Sequence, residues 1–254
     1  MLFNKLIKKS FKLLGLQVTR ISKKNQIKAN NARKSVQYLD DSMKAGLYRS
    51  HLRGIKINTL IDVGAAQGHW TLAAMNIWKD SQYVLMEPLE ERESELAQLK
   101  KENKNIHVIN AAAGNKKGVI PFFVAEDLDG SGIADNGSQA RTVQITTIDD
   151  EIKGLQLNGP YLIKLDTHGY EVPILTGAKE TLRDTSLIII ECYGFQIAPN
   201  SLLFGEMCQY MREQGFRLID VVDIMRREKD MAFWQCDAFF IPSHSAIFNS
   251  NTYR

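Results

Sequence analysis

The order of apolar runs in this chain predicts an α/β fold on a mainly parallel sheet, closed at one edge by an antiparallel hairpin and preceded by a helical N-terminal extension. Three observations carry that reading. From residue 59 onward, short apolar runs alternate with segments of helical period. A glycine-rich turn follows the first run, and acidic residues recur where the later runs end. At 254 residues and 44% hydrophobic, the chain is long enough to bury one sizeable core.

Residues 1–57 form the extension in this reading, and residues 58–254 the main domain. Leu2, Phe3, Leu6, Ile7, Phe11 and Leu14 recur at helical spacing with lysines between them. A polar connector over 22–35 and a second helix over about 35–52 follow. The net charge of +3 is unevenly placed: residues 1–60 carry 14 of the 32 Lys and Arg, but only Asp40 and Asp41 among the 29 acids. Such a head either contacts anionic company, as at a membrane periphery or on an anionic substrate, or is a solvated helix face. The acidic remainder has no basic stripe with interleaved aromatics, so no nucleic-acid partner is expected. The longest apolar runs are too short to span a bilayer, and the N-terminus lacks the apolar region of a secretory signal. Cys192, Cys208 and Cys236 form no metal or redox pattern. The expectation is a cytoplasmic protein, either free or peripheral to the membrane through its head.

In the main domain, residues 59–63 predict the first strand, 70–78 a helix, 83–86 the second strand, 90–101 a charged helix and 106–109 the third strand. Residues 119–124 and 142–146 predict an antiparallel excursion with the loop 126–139 at its tip. Residues 162–165 and 187–190 predict two further buried strands, separated by one helix over about 170–182. Residues 216–223 and 233–241 predict the edge hairpin.

In an open α/β sheet, ligands bind beyond the carboxyl ends of the strands. After the first strand come Asp62, Gly64, Ala65, Ala66 and Gly68; the glycines permit a tight turn and a close approach to ligand. A dinucleotide loop would place glycines at 64, 66 and 69, but Ala66 and His69 stand there, which argues against a pyrophosphate. A phosphate-free cofactor such as S-adenosylmethionine needs only a gap for its amino-acid tail and sulfonium. The second strand ends in Glu87-Pro88, where an acid either accepts both ribose hydroxyls or caps the next helix. Lys164 and Asp166, in the fourth parallel strand and at its tip, are costly to bury without partners. His168 is a candidate general base, Glu171 a helix-start acid, and Glu191 a further carboxylate on the same rim. Asp166, Glu191 and Asp237 are candidates to deprotonate a hydroxyl or to hold a divalent cation.

Taken together, Ile61–Gly68, Glu87-Pro88, Leu162–Glu171 and Gln235–Phe239 resemble the signature segments of FkbM-type methyltransferases, in order, with Asn110–Gly114 and Gly177-Ala178 also fitting. The resemblance covers roughly residues 58–242. It departs at Ala66, where Asn is usual, and at His168, where Glu or Gln is usual. It implies a Rossmann-like class I methyltransferase fold that uses S-adenosylmethionine, with methylation of hydroxyls on sugars, glycans or natural products. On that model Asp62, Gly64, Ala65, Ala66, Gly68, Glu87, Pro88, Ala112 and Asp166 bind the cofactor, while Asp166, His168 and Glu191 are the catalytic candidates. Two rival readings remain: a nicotinamide-dependent oxidoreductase on a related sheet, and a non-catalytic binding module recruited through residues 1–60.

Overall fold

The computed structural model describes residues 40–133 and 140–253. The amphipathic segment 2–14 and the connector 22–35 lie outside the described residues, as does the tip of the loop at 134–139. From Asp41 onward the chain forms one compact unit.

Helix α1 (Met43–Leu52) starts at Ser42, whose hydroxyl accepts from the Ala45 N–H at 3.4 Å. The helix belongs to this unit: Leu47 is fully buried, and a Cβ on Gly46 would meet Phe239 at 2.8 Å. The Arg49 guanidinium grips Asp220 through two hydrogen bonds, of 2.7 and 3.1 Å, and Arg53 adds a third at 3.0 Å.

Seven strands form the main sheet: β1 (Thr59–Val63), β2 (Gln82–Met86), β3 (Ile106–Ile109), β8 (Tyr161–Leu165), β9 (Thr185–Tyr193), β10 (Phe216–Arg226) and β11 (Phe233–Pro242). Their order is β10-β11-β9-β8-β1-β2-β3. The five from β3 to β9 pair in parallel, with α2 (His69–Met75) and α3 (Glu93–Glu102) among their crossovers. Alternate residues feed two cores. Leu60, Leu85, Leu162 and Leu187 pack with Leu47, Trp78 and Leu96 on one face, while Ile61, Val84, Ile163 and Ile188 pack with Ile174 and Met207 on the other. Because both faces are covered, the strands read as continuous apolar runs rather than as alternating ones.

The hairpin forms at the sheet edge with its later strand inside. β11 pairs antiparallel with both β9 and β10, so β10 takes the edge. Ala238, Phe239 and Phe240 of β11 are fully buried, whereas much of β10 is exposed; the more apolar strand occupies the inner place. The antiparallel excursion is a second sheet of β4 (Ala112–Ala113), β5 (Gly118–Phe123), β6 (Gly132–Ile133) and β7 (Ala140–Thr146). Phe122, Val143 and Ile145 pack with Leu89 beneath it.

Helix α4 (Ile148–Leu155), capped by Thr147, lies in a stretch left unassigned from sequence. The single helix expected over 170–182 is instead two short ones, α5 (Glu171–Thr176) and α6 (Lys179–Leu182). They part at Gly177, where an added Cβ would stand 2.0 Å from the carbonyl oxygen of Gly114. Helix α7 (Phe204–Glu213) completes the chain's helices named here. Among the described residues no helix is long and apolar enough to cross a membrane.

The clamp of α1 onto β10 has a pH signature. Burial works to raise the Asp220 carboxyl, but hydrogen bonds from Arg49 and Arg53 outweigh it and hold the group below its usual range. A lowered carboxyl contributes stability above its unfolded pKa and loses it as pH falls through the folded one. Asp220→Asn is expected to destabilise the protein by about 1 kcal/mol at pH 7, a small value because the groups keep some solvent. Urea melts of both proteins should converge as the pH falls below about 4.

Candidate active site

The sheet reverses its direction of winding between β1 and β8, and a cavity of about 410 Å³ opens beyond the carboxyl ends of these strands. That volume lies in the ~300–1,000 Å³ range of small-molecule sites. The loop after β1 forms one wall. Gly64 and Ala65 donate their N–H groups to the Met86 carbonyl at 3.0 and 3.3 Å. Gly64 has φ +77°, and a Cβ there would lie 2.1 Å from the Asp166 carbonyl oxygen, so the loops after β1 and β8 touch backbone to backbone. Ala66 adopts φ +46°, a left-handed conformation that its methyl disfavours. This fits the family's usual asparagine at that position, a residue that tolerates the left-handed region.

Glu87 ties this loop to the next strand end. One carboxylate oxygen accepts from Ala66 N–H at 2.9 Å, and the other from Leu89 N–H at 3.0 Å. Burial pushes its pKa up. Each oxygen keeps a lone pair, and the side chain lines the cavity. Glu87 thus orders the turn after β1 and turns its remaining acceptors to the cavity, without capping the helical turn over Glu90–Arg92.

Opposite stands β8. Its Lys164 is 3% exposed, and the ammonium reaches Asp166 Oδ2 at 2.6 Å while lying 5.6 Å from the Trp70 ring centre. Burial opposes its charge, but Asp166 and Asp62 outweigh that and raise the pKa. Asp166 is the converse case: burial works to raise its pKa, yet the Lys164 ammonium wins and holds the carboxyl below its usual range. Asp62 pairs with Lys164 across the β1–β8 ladder, is fully buried, and accepts from the Thr71 hydroxyl at 2.6 Å. Its other oxygen has no partner among the described residues, and burial drives its pKa to about 6.

Glu191, at the end of β9, accepts from the Tyr193 hydroxyl and the Gln235 amide. Burial, and then the neighbouring Asp166 charge, push it to about 8, so it holds its proton at neutral pH. His168 follows β8 in a left-handed conformation, φ +51°. Its Nδ1 lies 3.1 Å from the Ser131 carbonyl, which can only accept, so Nδ1 carries hydrogen. In the neutral ring, Nε2 then presents a lone pair, 3.8 Å from Asp166 Oδ1 and 3.6 Å from Glu191 Oε2. Glu171 takes the capping role: its carboxylate accepts from Gly169 N–H at 2.8 Å and from the Thr167 hydroxyl at 3.2 Å.

The chain's relatives bear on this site. The model of the methyltransferase FkbM domain matches residues 62–218, more than half of the chain. The chain belongs to the FkbM methyltransferase family. Among solved structures it is similar to the methyltransferase FkbM from Methylobacillus flagellatus KT, with 17% identity and a TM-score of 0.48 over 71% of this chain and 43% of that one. It therefore spans less than half the length of that relative. It is also similar to the fibrillarin pre-rRNA processing protein of Methanococcus jannaschii, at 16% identity and TM-score 0.47 over 74% and 67% of the two chains. A third is the 1,6-didemethyltoxoflavin-N1-methyltransferase of Burkholderia thailandensis, solved with S-adenosylhomocysteine, at 9% identity and TM-score 0.45 over 90% and 93%. No curated protein matches the chain.

Of the candidate residues, Gly64, Ala65, Ala66, Glu87, Pro88 and Ala112 line the cavity, as do Asp166, His168 and Glu191. Asp62 and Gly68 do not: Asp62 sits beneath the loop, and Gly68 packs under α3, where a Cβ would meet Leu99 at 2.5 Å. Asp237 lies opposite Glu191 in the ladder, raised to about 7 chiefly by burial, and stays outside the cavity wall. Four partners escaped sequence reasoning. Tyr193 and Gln235 carry no charge and read as ordinary strand residues. Trp70 lines the cavity with an indole N–H that lacks a partner among the described residues. Arg92 is buried in the wall and binds Asp129 at 2.7 Å, tying the turn that precedes α3 to the loop that covers the cavity. The only sequence signal for these was the fixed spacing of Tyr193 and Gln235 from Glu191 and Asp237, two residues along the same strand face.

Two neighbouring left-handed positions should respond with opposite signs. Gly64→Ala brings a methyl into the Asp166 carbonyl and is expected to cost roughly 3 kcal/mol or more. Ala66→Gly relieves a left-handed alanine and is expected to add about 1 kcal/mol. Chemical denaturation midpoints of the two variants check the contrast.

Proposed function

We propose that this chain is an S-adenosylmethionine-dependent methyltransferase acting on a hydroxyl of a sugar, glycan or natural-product acceptor. The observation that carries the reading is one cavity into which three successive strand ends deliver a glycine loop, an acid with unused lone pairs and an ionised aspartate. When bound, the cofactor supplies a methyl group already activated on a sulfonium.

The residues present suit that group. Glu87 offers one free lone pair per oxygen, the arrangement that accepts two adjacent ribose hydroxyls. Gly64–Ala66 bring backbone against the cavity without bulk, and the Ala66 methyl stands where a pyrophosphate loop would need hydrogen. Asp166, kept ionised by Lys164, puts negative charge on the cavity wall, where it would favour a cationic sulfonium in a low-dielectric site.

The chain's own chemistry is positioning and proton removal. A hydroxyl that accepts a methyl group must lose its proton. The rim offers two acceptors, the Asp166 carboxylate and the His168 Nε2 lone pair, whereas Glu191 is already protonated at neutral pH. The covering loop, with Leu128, Asp129 and Ser131 on the wall, bounds the acceptor side.

Calorimetry with S-adenosylhomocysteine tests this reading. One site per chain is expected, with no binding of NAD. Glu87→Gln removes the charge that favours ribose hydroxyls and is expected to weaken binding tenfold or more, about 1.4 kcal/mol. An absence of S-adenosylhomocysteine binding by the folded wild-type chain would refute the assignment.

A further inference from the structure

We infer that Asp166, His168 and Glu191 form a binding site for a divalent cation of the magnesium or manganese class, placed to receive the acceptor's hydroxyl oxygen. The inference deepens the reading above and rests on it for the role of the cation, though not for its binding.

One ligand atom from each residue lies within 4.8 Å of the other two, and all three side chains line the cavity. The His168 Nε2 lone pair faces Asp166 Oδ1 at 3.8 Å and Glu191 Oε2 at 3.6 Å. These gaps exceed hydrogen-bond length, so three donor atoms share one small volume without touching, and an ion there would take the place of the Glu191 proton. A cation with ligand distances of ~2.0–2.4 Å bridges donor atoms ~3–4 Å apart, so the spacing suits an ion at the centre of the trio.

The outer contacts of the three ligands point the same way. Lys164 anchors Asp166 through Oδ2, leaving Oδ1 toward the trio. The Ser131 carbonyl fixes the histidine tautomer through Nδ1, leaving Nε2 toward the trio. The Gln235 amide holds Glu191 by Oε1, leaving Oε2 toward the trio, where Tyr193 also donates. Orientation of each ligand by a partner on its far atom is how proteins build metal centres. Two carboxyl oxygens with one imidazole nitrogen suit a manganese ion better than magnesium, which favours oxygen alone, and would leave coordination positions for an acceptor oxygen. The Lys164 ammonium sits on the opposite oxygen of Asp166, within a group that also contains Asp62 and Asp237, so it does not leave the trio positively charged.

In that place the ion would hold the acceptor oxygen and lower the pKa of its hydroxyl. With Asp166 Oδ1 and His168 Nε2 taken up as ligands, the O–H bond would break with its proton passing to cavity water instead of to them; the oxygen's electron pair would form the O–CH₃ bond as the S–CH₃ bond breaks, leaving S-adenosylhomocysteine neutral at sulfur.

The test is a titration of the full chain, stripped with chelator and desalted, with Mn²⁺ followed by electron paramagnetic resonance. Calorimetry with S-adenosylhomocysteine is run in parallel. One Mn²⁺ per chain is expected, with affinity falling at least tenfold in Asp166→Asn and in Glu191→Gln and unchanged in the exposed control Glu180→Gln. His168→Gln, a loop substitution that strands no buried charge, is expected to weaken binding as well, and it keeps the test open if an acid variant fails to fold. No bound Mn²⁺ at about 1 mM, or binding indifferent to the substitutions at the trio, would overturn the site. Site-dependent Mn²⁺ binding without S-adenosylhomocysteine binding would uphold the cation site while removing the methyltransferase reading.

Discussion

Lys164 carries a positive charge into the middle of a parallel sheet, and the arrangement of the rim depends on it. A buried ammonium is tolerated only with compensating charge, and here Asp62 supplies it from the adjacent strand β1, Asp166 from the tip of β8 itself, and Asp237 from β11. The compensation works in both directions. Lys164 keeps Asp166 ionised at the cavity wall, while the same field leaves Asp62 and Asp237 raised because burial outweighs their share of the lysine. One residue thus divides the acids into a charged one that faces ligand and others that remain within the fold.

The rim is also held by close backbone packing at the winding reversal. β1 and β8 are neighbours, and their following loops meet where Gly64 lies against the Asp166 carbonyl. That contact places the glycine loop, Glu87 through the Ala66 N–H, and Asp166 around one space. His168 then reaches across to Ser131, and Arg92 to Asp129, so the covering loop is fastened at two points. Glu191 completes the wall from β9. Its neutral state at pH 7 and the inferred cation are two ways of meeting the same requirement, positive charge among acids that share a small volume.

Several features were legible in the sequence because they are local. The strand runs, the glycine turn, the acids at strand ends and the excursion of β5 and β7 follow from period, turn chemistry and spacing. Other features were not legible. The break at Gly177 depends on Gly114, more than sixty residues away in the chain, and the inner place of β11 depends on competition between two strands for one edge. Asp62, Gly68 and Asp237 look like site residues by position but point into packing or into the lysine's charge cluster.

The sequence by itself determined the α/β class, the order of its elements, and the rim at which Gly64, Glu87, Asp166 and Glu191 would appear. Periodicity and turn residues act over a few positions, so they are written in the chain. The tertiary structure decided which charges meet. Lys164 beside Asp62, His168 with Ser131, and Glu191 with Gln235 depend on strand register and on loops crossing between elements. A shift of one residue in that register would turn each side chain to the other face of the sheet.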